Sequence, residues 1–84
     1  MGNKEKLLKR LETLPRDFTF DETKTLMKSC GYRMSTGGKT GGSRVKFYLG
    51  KNVFAMHKPH PRKELLAYQV NELLSELKEK GFYE

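Results

Sequence analysis

Hydrophobic residues near both ends of the chain recur at helical spacing. At the start, leucines at i, i+1, i+4 and i+7 predict a helix over residues 3–14, which Pro15 ends. Near the other end, a second stripe predicts a helix over residues 64–80, which Gly81 stops and on which we expect Phe82 to pack. The first stripe is Leu7, Leu8, Leu11 and Leu14, and the second is Leu66, Val70, Leu73, Leu74 and Leu77.

Another predicted helix lies between these two and begins with a capping box. Thr19 and Glu22 have the spacing at which each side chain bonds the backbone N–H of the other residue. Gly31 suits the left-handed residue that closes a helix. Cys30 is either a small buried residue, which we favour, or a reactive thiol. The inward residues of this helix are Leu26, Met27 and Cys30.

In the middle of the chain the hydrophobic period changes to two, which predicts three short strands. They cover residues 32–36, 44–49 and 53–57, with a tight turn over residues 50–52. The prolines that follow cannot extend a ladder, because proline lacks the N–H donor. The predicted inward residues are Val45, Phe47, Leu49, Phe54 and Met56, and the predicted outward residues are Arg44, Lys46, Tyr48, Val53, Ala55 and His57.

This order of elements predicts a single α+β domain over residues 1–84: two helices, a three-stranded antiparallel sheet and a last helix. A sheet this small needs one face covered, so we expect the helices on one side. The other face then stays open and carries basic and aromatic side chains. Residues 37–42, which hold four of the eight glycines, are predicted to form a flexible loop.

The middle of the chain also carries an uncompensated positive charge. The 84 residues include 17 Lys and Arg against 10 Asp and Glu, a formal net charge of +7, and residues 24–63 contain no acid at all. This asymmetry favours a polyanion such as nucleic acid, because each neutralised phosphate releases counterions. The alternative is a solvated, solubilising surface. The cations are Lys24, Lys28, Arg33, Lys39, Arg44, Lys46, Lys51, Lys58, Arg62 and Lys63.

Composition excludes several other classes of protein. A single cysteine cannot form an intramolecular disulfide, and no Cys/His set has zinc spacing, so we expect neither a metal nor a cofactor. No apolar run approaches the roughly 20 residues of a membrane span, and no signal peptide begins the chain. We therefore expect a cytoplasmic protein. Gly38-Lys39-Thr40 resembles the end of a P-loop, but Arg33 stands where the first glycine belongs, so a hairpin loop is favoured.

The acid-free middle leaves metal-free phosphate chemistry as the remaining candidate. Cleaving RNA through its own 2′-hydroxyl needs a base, a cation at the phosphate and an acid for the leaving oxygen. His57 is the candidate for proton transfer, with a structural hydrogen bond as the alternative, whereas His60 between two prolines favours a loop role. Arg44, Lys46 and Tyr48 suit phosphate and base contacts, the alternative being a solvated face.

Three segments resemble the HicA family of toxins. They are Gly-Gly-Ser-Arg-Val-Lys-Phe at residues 41–47, the strand at residues 53–57, and Lys-Glu-Leu at residues 63–65. The resemblance covers about residues 19–82, and residues 3–14 look like an extra N-terminal helix. It implies a fold similar to a double-stranded-RNA-binding domain and the activity of an mRNA interferase. It also implies a HicB-type antitoxin as partner, and an acidic antitoxin would cover the basic face.

One position departs from the family pattern. The family has Gly-Ser-His with a catalytic histidine, and Arg44 stands at that third position here. Arginine cannot act as a general base, but it clamps phosphate and stabilises developing charge. Either proton transfer has moved to another group, with His57 the best candidate, or this member is a weak or inactive nuclease.

Three hypotheses follow from the sequence. The first is a HicA-type toxin that binds and cleaves mRNA without metal; the others are a non-catalytic RNA-binding module and a protein-interaction module of the same fold. The predicted catalytic residues are Arg44 and His57, and the predicted RNA contacts are Lys39, Ser43, Arg44, Lys46, Tyr48 and Lys58.

Overall fold

The computed structural model describes residues 3–36, 44–59 and 62–83. Three helices and a three-stranded antiparallel sheet make up the fold, so the predicted α+β architecture is confirmed. The strands form a meander in the order β1-β2-β3. The elements are α1 (Asn3–Glu12), α2 (Phe20–Ser29), β1 (Arg33–Thr36), β2 (Arg44–Leu49), β3 (Asn52–His57) and α3 (Ala67–Glu79).

The sheet has one packed face and one open face. Val45 and Phe47 of β2 and Met56 of β3 are buried in the same core as the apolar residues of the helices. The alternate residues of these strands are exposed or partly exposed, and Arg44 and His57 are among the exposed ones. Because successive side chains of a strand point to opposite faces, the helices cover one side of the sheet and leave the other uncovered. The predicted assignment of inward and outward residues on β2 is confirmed.

All three helices end on a residue in the left-handed region. Gly31 after α2 and Gly81 after α3 have φ angles of 96° and 85°, and each is followed by a residue whose N–H bonds back into the helix. After α1 the same position is held by Leu14, with a φ of 54°. The predicted helix over residues 3–14, with Leu14 on its leucine stripe, was too long. The helix ends at Glu12, and the turn leaves Leu14 46% exposed.

The last helix begins later than predicted, because the residues before it are extended and pair with another segment. Two backbone hydrogen bonds of 2.9 and 2.8 Å join residues 18–20 to residues 63–65, around an isolated antiparallel bridge. This extended conformation buries Leu65, and Leu66 becomes the N-cap residue of α3 with 41% of its surface exposed. The predicted helix over residues 64–80, with Leu66 in its buried stripe, is thereby corrected.

The predicted capping box at the start of α2 is confirmed. Thr19 Oγ1 accepts from the Glu22 N–H at 3.1 Å, and Glu22 Oε1 accepts from the Thr19 N–H at 2.9 Å. Arg10 donates to the same Glu22 oxygen at 2.8 Å, which ties α1 to α2. Phe82 packs against the core, as predicted, with its ring 6.4 Å from that of Tyr32.

Two strand boundaries differ slightly from the predictions. β1 begins at Arg33, because Tyr32 is part of the turn that follows α2, and β3 begins at Asn52. The predictions for the loop at residues 37–42, and for Lys39, Ser43 and His60, lie outside the described residues. In the part of the chain that the structure describes, no helix is long and apolar enough to cross a membrane.

Candidate nucleic-acid interface

The strand register arranges eight side chains in three rows across the open face of the sheet. Residues directly opposite each other on neighbouring strands share a face, so the outward residues of β2 determine which residues of β1 and β3 join them. We call this set the open face. Its rows are Arg33, Tyr48 and Val53; Ser35, Lys46 and Ala55; and Arg44 with His57.

The cations of the open face lie on β1 and β2. Arg44 and Lys46 are two residues apart on one strand, so their Cα atoms are about 7 Å apart, and both side chains are exposed. Arg33 lies opposite Tyr48 on β1 and is exposed as well. For these three cations no ion pair with a described carboxylate is found. The positive charge of this side is therefore uncompensated within the described residues.

Apart from His57, the β3 residues of the open face are apolar. Val53 is 51% exposed and Ala55 is partly exposed, and Tyr48 lies between Val53 and Arg33 in its row. The face thus joins a cationic side to an apolar side, with an aromatic ring between them. Phosphates prefer the first environment, and the flat surfaces of unpaired bases prefer the second.

Arg44 and His57 are brought together by the sheet, as they are direct cross-strand partners. The two-residue turn before Asn52, with Gly50 at a φ of 61°, makes Leu49 and Asn52 the closing hydrogen-bonded pair. Hydrogen-bonded and non-hydrogen-bonded pairs alternate along the ladder, so Arg44 and His57 form a non-hydrogen-bonded pair with Cα atoms about 4.5 Å apart. A guanidinium and an imidazole therefore project side by side from one row.

The backbone of His57 is held in place by α3. Its carbonyl accepts from Gln69 Nε2 at 2.8 Å, and Gln69 Oε1 accepts from the Leu66 N–H at 2.9 Å. Gln69 is buried, and both ends of its amide are bonded. This residue was not predicted from the sequence. The sequence feature that could have indicated it is a polar side chain on the apolar stripe of α3, four residues before Leu73.

Lys58, a predicted RNA contact, lies on the other side of the sheet. Its Nζ is 5.9 Å from the centre of the Phe20 ring, and Lys24 Nζ is 5.6 Å from the same ring. This follows from strand alternation, because Lys58 comes directly after the outward-facing His57. The structure therefore brings together Arg44, Lys46, Tyr48 and His57 of the predicted site and leaves Lys58 outside the open face.

Arg33 is a member of the open face that was not among the predicted RNA contacts. The alternation in β1 did not predict which of its residues face outward, because both alternate sets include polar residues. Only its pairing with Tyr48 shows that Arg33 points outward.

Other reactive groups of the protein lie elsewhere. Cys30 is buried at the end of α2, and this burial raises the pKa of its thiol, although the charge of Lys4 and a hydrogen bond with Ser29 act in the opposite direction. This supports the interpretation of Cys30 as a core residue. Among residues 3–36, 44–59 and 62–83, no three His, Cys, Asp or Glu side chains are close enough together to hold a metal ion.

No family model, curated protein or solved structure matches this chain. The HicA likeness therefore rests on the segments at residues 41–47, 53–57 and 63–65 and stays a prediction.

Proposed function

We propose that this protein binds RNA on the open face of its sheet. The observation that carries the proposal is the gathering of Arg33, Arg44 and Lys46 with Tyr48 on an uncovered surface. These cations come from the acid-free stretch of the sequence, and no described carboxylate pairs with them. Such a surface attracts a polyanion through counterion release and offers a ring for stacking.

The division of the open face favours single-stranded RNA over a duplex. In a duplex the bases are stacked on each other, so only phosphates, sugars and base edges meet a protein. The apolar side, with Val53 exposed and Ala55 and Tyr48 partly exposed, would then find no partner. A single strand can lay its phosphates along Arg33, Lys46 and Arg44 and its bases over the apolar side.

We further propose that the bound RNA is cleaved without metal at the Arg44–His57 pair. His57 takes the proton of the 2′-hydroxyl as the 2′ oxygen attacks phosphorus, and Arg44 stabilises the charge that develops on the phosphate oxygens. The bond from phosphorus to the 5′ oxygen breaks, and that oxygen takes a proton from water. The products are a 2′,3′-cyclic phosphate and a 5′-hydroxyl end.

The order α2–β1–β2–β3–α3 supports a fold similar to a double-stranded-RNA-binding domain, which the HicA likeness implies. On this proposal the protein is a cytoplasmic mRNA interferase, α1 is an addition to the core, and a HicB-type antitoxin is its partner. Arg44 in place of the family's histidine gives the phosphate clamp, and His57 on the neighbouring strand supplies the proton transfer.

The test measures affinity and cleavage on the same single-stranded RNA in excess EDTA. Three cations on a single strand predict a slope of log affinity against log salt of about −2, since each contributes about −0.7. Cleavage is followed by gel electrophoresis, and the new ends are tested for labelling by a kinase that requires a 5′-hydroxyl. Cleavage that yields 5′-phosphate ends would point to a different reaction.

The two alternative functions correspond to distinct outcomes of this experiment. Binding with a steep salt slope but no cleavage identifies a non-catalytic RNA-binding module. A slope near zero removes nucleic acid from the proposal and favours a protein-interaction module.

A further inference from the structure

A groove on the helical side of the protein exposes two leucines, away from the open face. Leu14 and Leu66 are 46% and 41% exposed, and both line a cavity of about 430 Å³. The buried side chains of Leu65 and Val70 also line it. We call this surface, flanked by Arg16 and Arg62, the leucine groove.

The backbone at Leu14 is unfavourable for the residue that occupies it. The equivalent position after each of the other two helices is a glycine, Gly31 or Gly81. A residue with a Cβ atom is strained at a positive φ, and Leu14 is the only non-glycine with one among the described residues. The following residue, Pro15, has no N–H with which to complete the helix-ending motif. The conformation nevertheless holds an apolar side chain half exposed at the groove.

Backbone N–H groups that line the groove are already bonded within the protein, because Leu65 and Leu66 donate theirs at 2.8 and 2.9 Å. Residues 18–20 and 63–65 already pair with each other through two backbone hydrogen bonds. An extended peptide in the groove would therefore find no free N–H at Leu65 or Leu66 with which to extend a ladder. A helix satisfies its own backbone groups and can present leucine-sized side chains at i, i+3, i+4 and i+7, so a helix suits this groove better.

Two arginines at the groove favour a partner that carries negative charge. Arg16 is exposed, and no ion pair with a described carboxylate is found for it. Arg62 meets Glu64 only at 4.0 Å, and the two side chains are 54% and 41% exposed. We propose that the leucine groove docks an amphipathic helix of a partner protein, with apolar residues over Leu14 and Leu66 and carboxylates beside Arg16 and Arg62. This proposal is independent of RNA binding.

The proposal is tested with a synthetic amphipathic peptide that carries leucines at i, i+3, i+4 and i+7 and glutamates beside them. Amide NMR shifts locate the binding, and fluorescence anisotropy measures the affinity. We expect the shifts to cluster at residues 14–16 and 62–71. Leu14→Asn, which tolerates a positive φ, and Leu66→Ser, which suits an N-cap, should each weaken binding about tenfold. Arg16→Glu should weaken it several-fold.

Two controls separate the groove from general charge attraction. A peptide with serines in place of its leucines should bind at least tenfold more weakly, and Arg44→Ala on the open face should leave the affinity within twofold. Thermal unfolding of each variant confirms that it is folded. Shifts that cluster on the strands, or unchanged affinity in both leucine variants, would overturn the proposal. So would binding to phosphatidylserine vesicles that both leucine variants abolish, in the absence of peptide binding.

Discussion

Arg44 on β2 lies directly opposite His57 on β3, so one row of the open face holds a guanidinium beside an imidazole. We expect His57→Ala to lower RNA cleavage in EDTA by about 10²–10⁴-fold, the usual contribution of general acid–base catalysis. RNA affinity should change by less than threefold. Single-turnover cleavage and filter binding on the same RNA measure the two quantities.

Arg44→Ala should lower both cleavage and affinity, and should make the salt slope about 0.7 less steep. Arg44→Lys keeps the positive charge but loses the paired hydrogen bonds of the guanidinium. Compared with Arg44→Ala, it should therefore recover more of the RNA affinity than of the cleavage rate. Lys28→Ala on α2 is the matched control, because it removes one exposed cation that is not part of the rows. If it lowers cleavage as much as Arg44→Ala does, net charge rather than the Arg44–His57 row governs activity.

Tyr48 lies between Arg33 and Val53, and we predict that it stacks on a base. Tyr48→Ala should weaken binding of single-stranded RNA by about 1–3 kcal/mol, whereas Tyr48→Phe keeps the ring and most of the affinity. Tyr68→Ala, at an exposed aromatic on α3, provides the comparison. Equal losses for Tyr48→Ala and Tyr68→Ala would argue against stacking at the open face.

Strain at Leu14 gives a prediction for stability. Leu14→Gly should be more stable than Leu14→Ala by about 1 kcal/mol, because both variants lose the side chain but only alanine keeps a Cβ at a positive φ. Urea unfolding of the two variants measures the difference. Gly31→Ala, at the equivalent position after α2, should destabilise by a similar amount. An alanine variant at position 14 as stable as the glycine variant would show that the turn relaxes.

Stability should fall in alkaline solution because of Tyr83. Burial, followed by the charges of Glu12 and Cys30, raises the pKa of its phenol to about 12, and its hydroxyl donates to the Leu8 carbonyl. The unfolded chain loses this proton at its ordinary pKa near 10. The folded state therefore binds more protons between pH 10 and 12, and the free energy of unfolding declines as pH rises through that range.

Tyr83→Phe tests this assignment in the same urea series. It removes the hydrogen bond to Leu8, so it should cost about 1 kcal/mol at neutral pH. Its stability should then decline less steeply than the parent's between pH 10 and 12. Burial and the neighbouring Glu76 also raise the pKa of Tyr32, so part of the decline should persist. Identical slopes for parent and variant would rule Tyr83 out as a cause.

Local patterns predicted those parts of the fold that depend on local interactions. The capping box of Thr19 and Glu22, the left-handed Gly31 and the bounds of β2 are all confirmed. Helix ends near the long-range pair of residues 18–20 and 63–65 were not predictable in this way. There, hydrogen bonds between segments distant in sequence compete with helix propensity and delay α3 until Ala67.

The sequence by itself determined the order of the elements and the outward set on β2, because hydrophobic period and turn chemistry act over a few residues. Only the tertiary structure decided that Arg33 joins Tyr48, that Gln69 anchors His57, and that Lys58 turns toward Phe20. It also decided the exposure of Leu14 and Leu66 around one groove. These relationships join residues far apart in the chain, and strand register and backbone hydrogen bonding between segments set them.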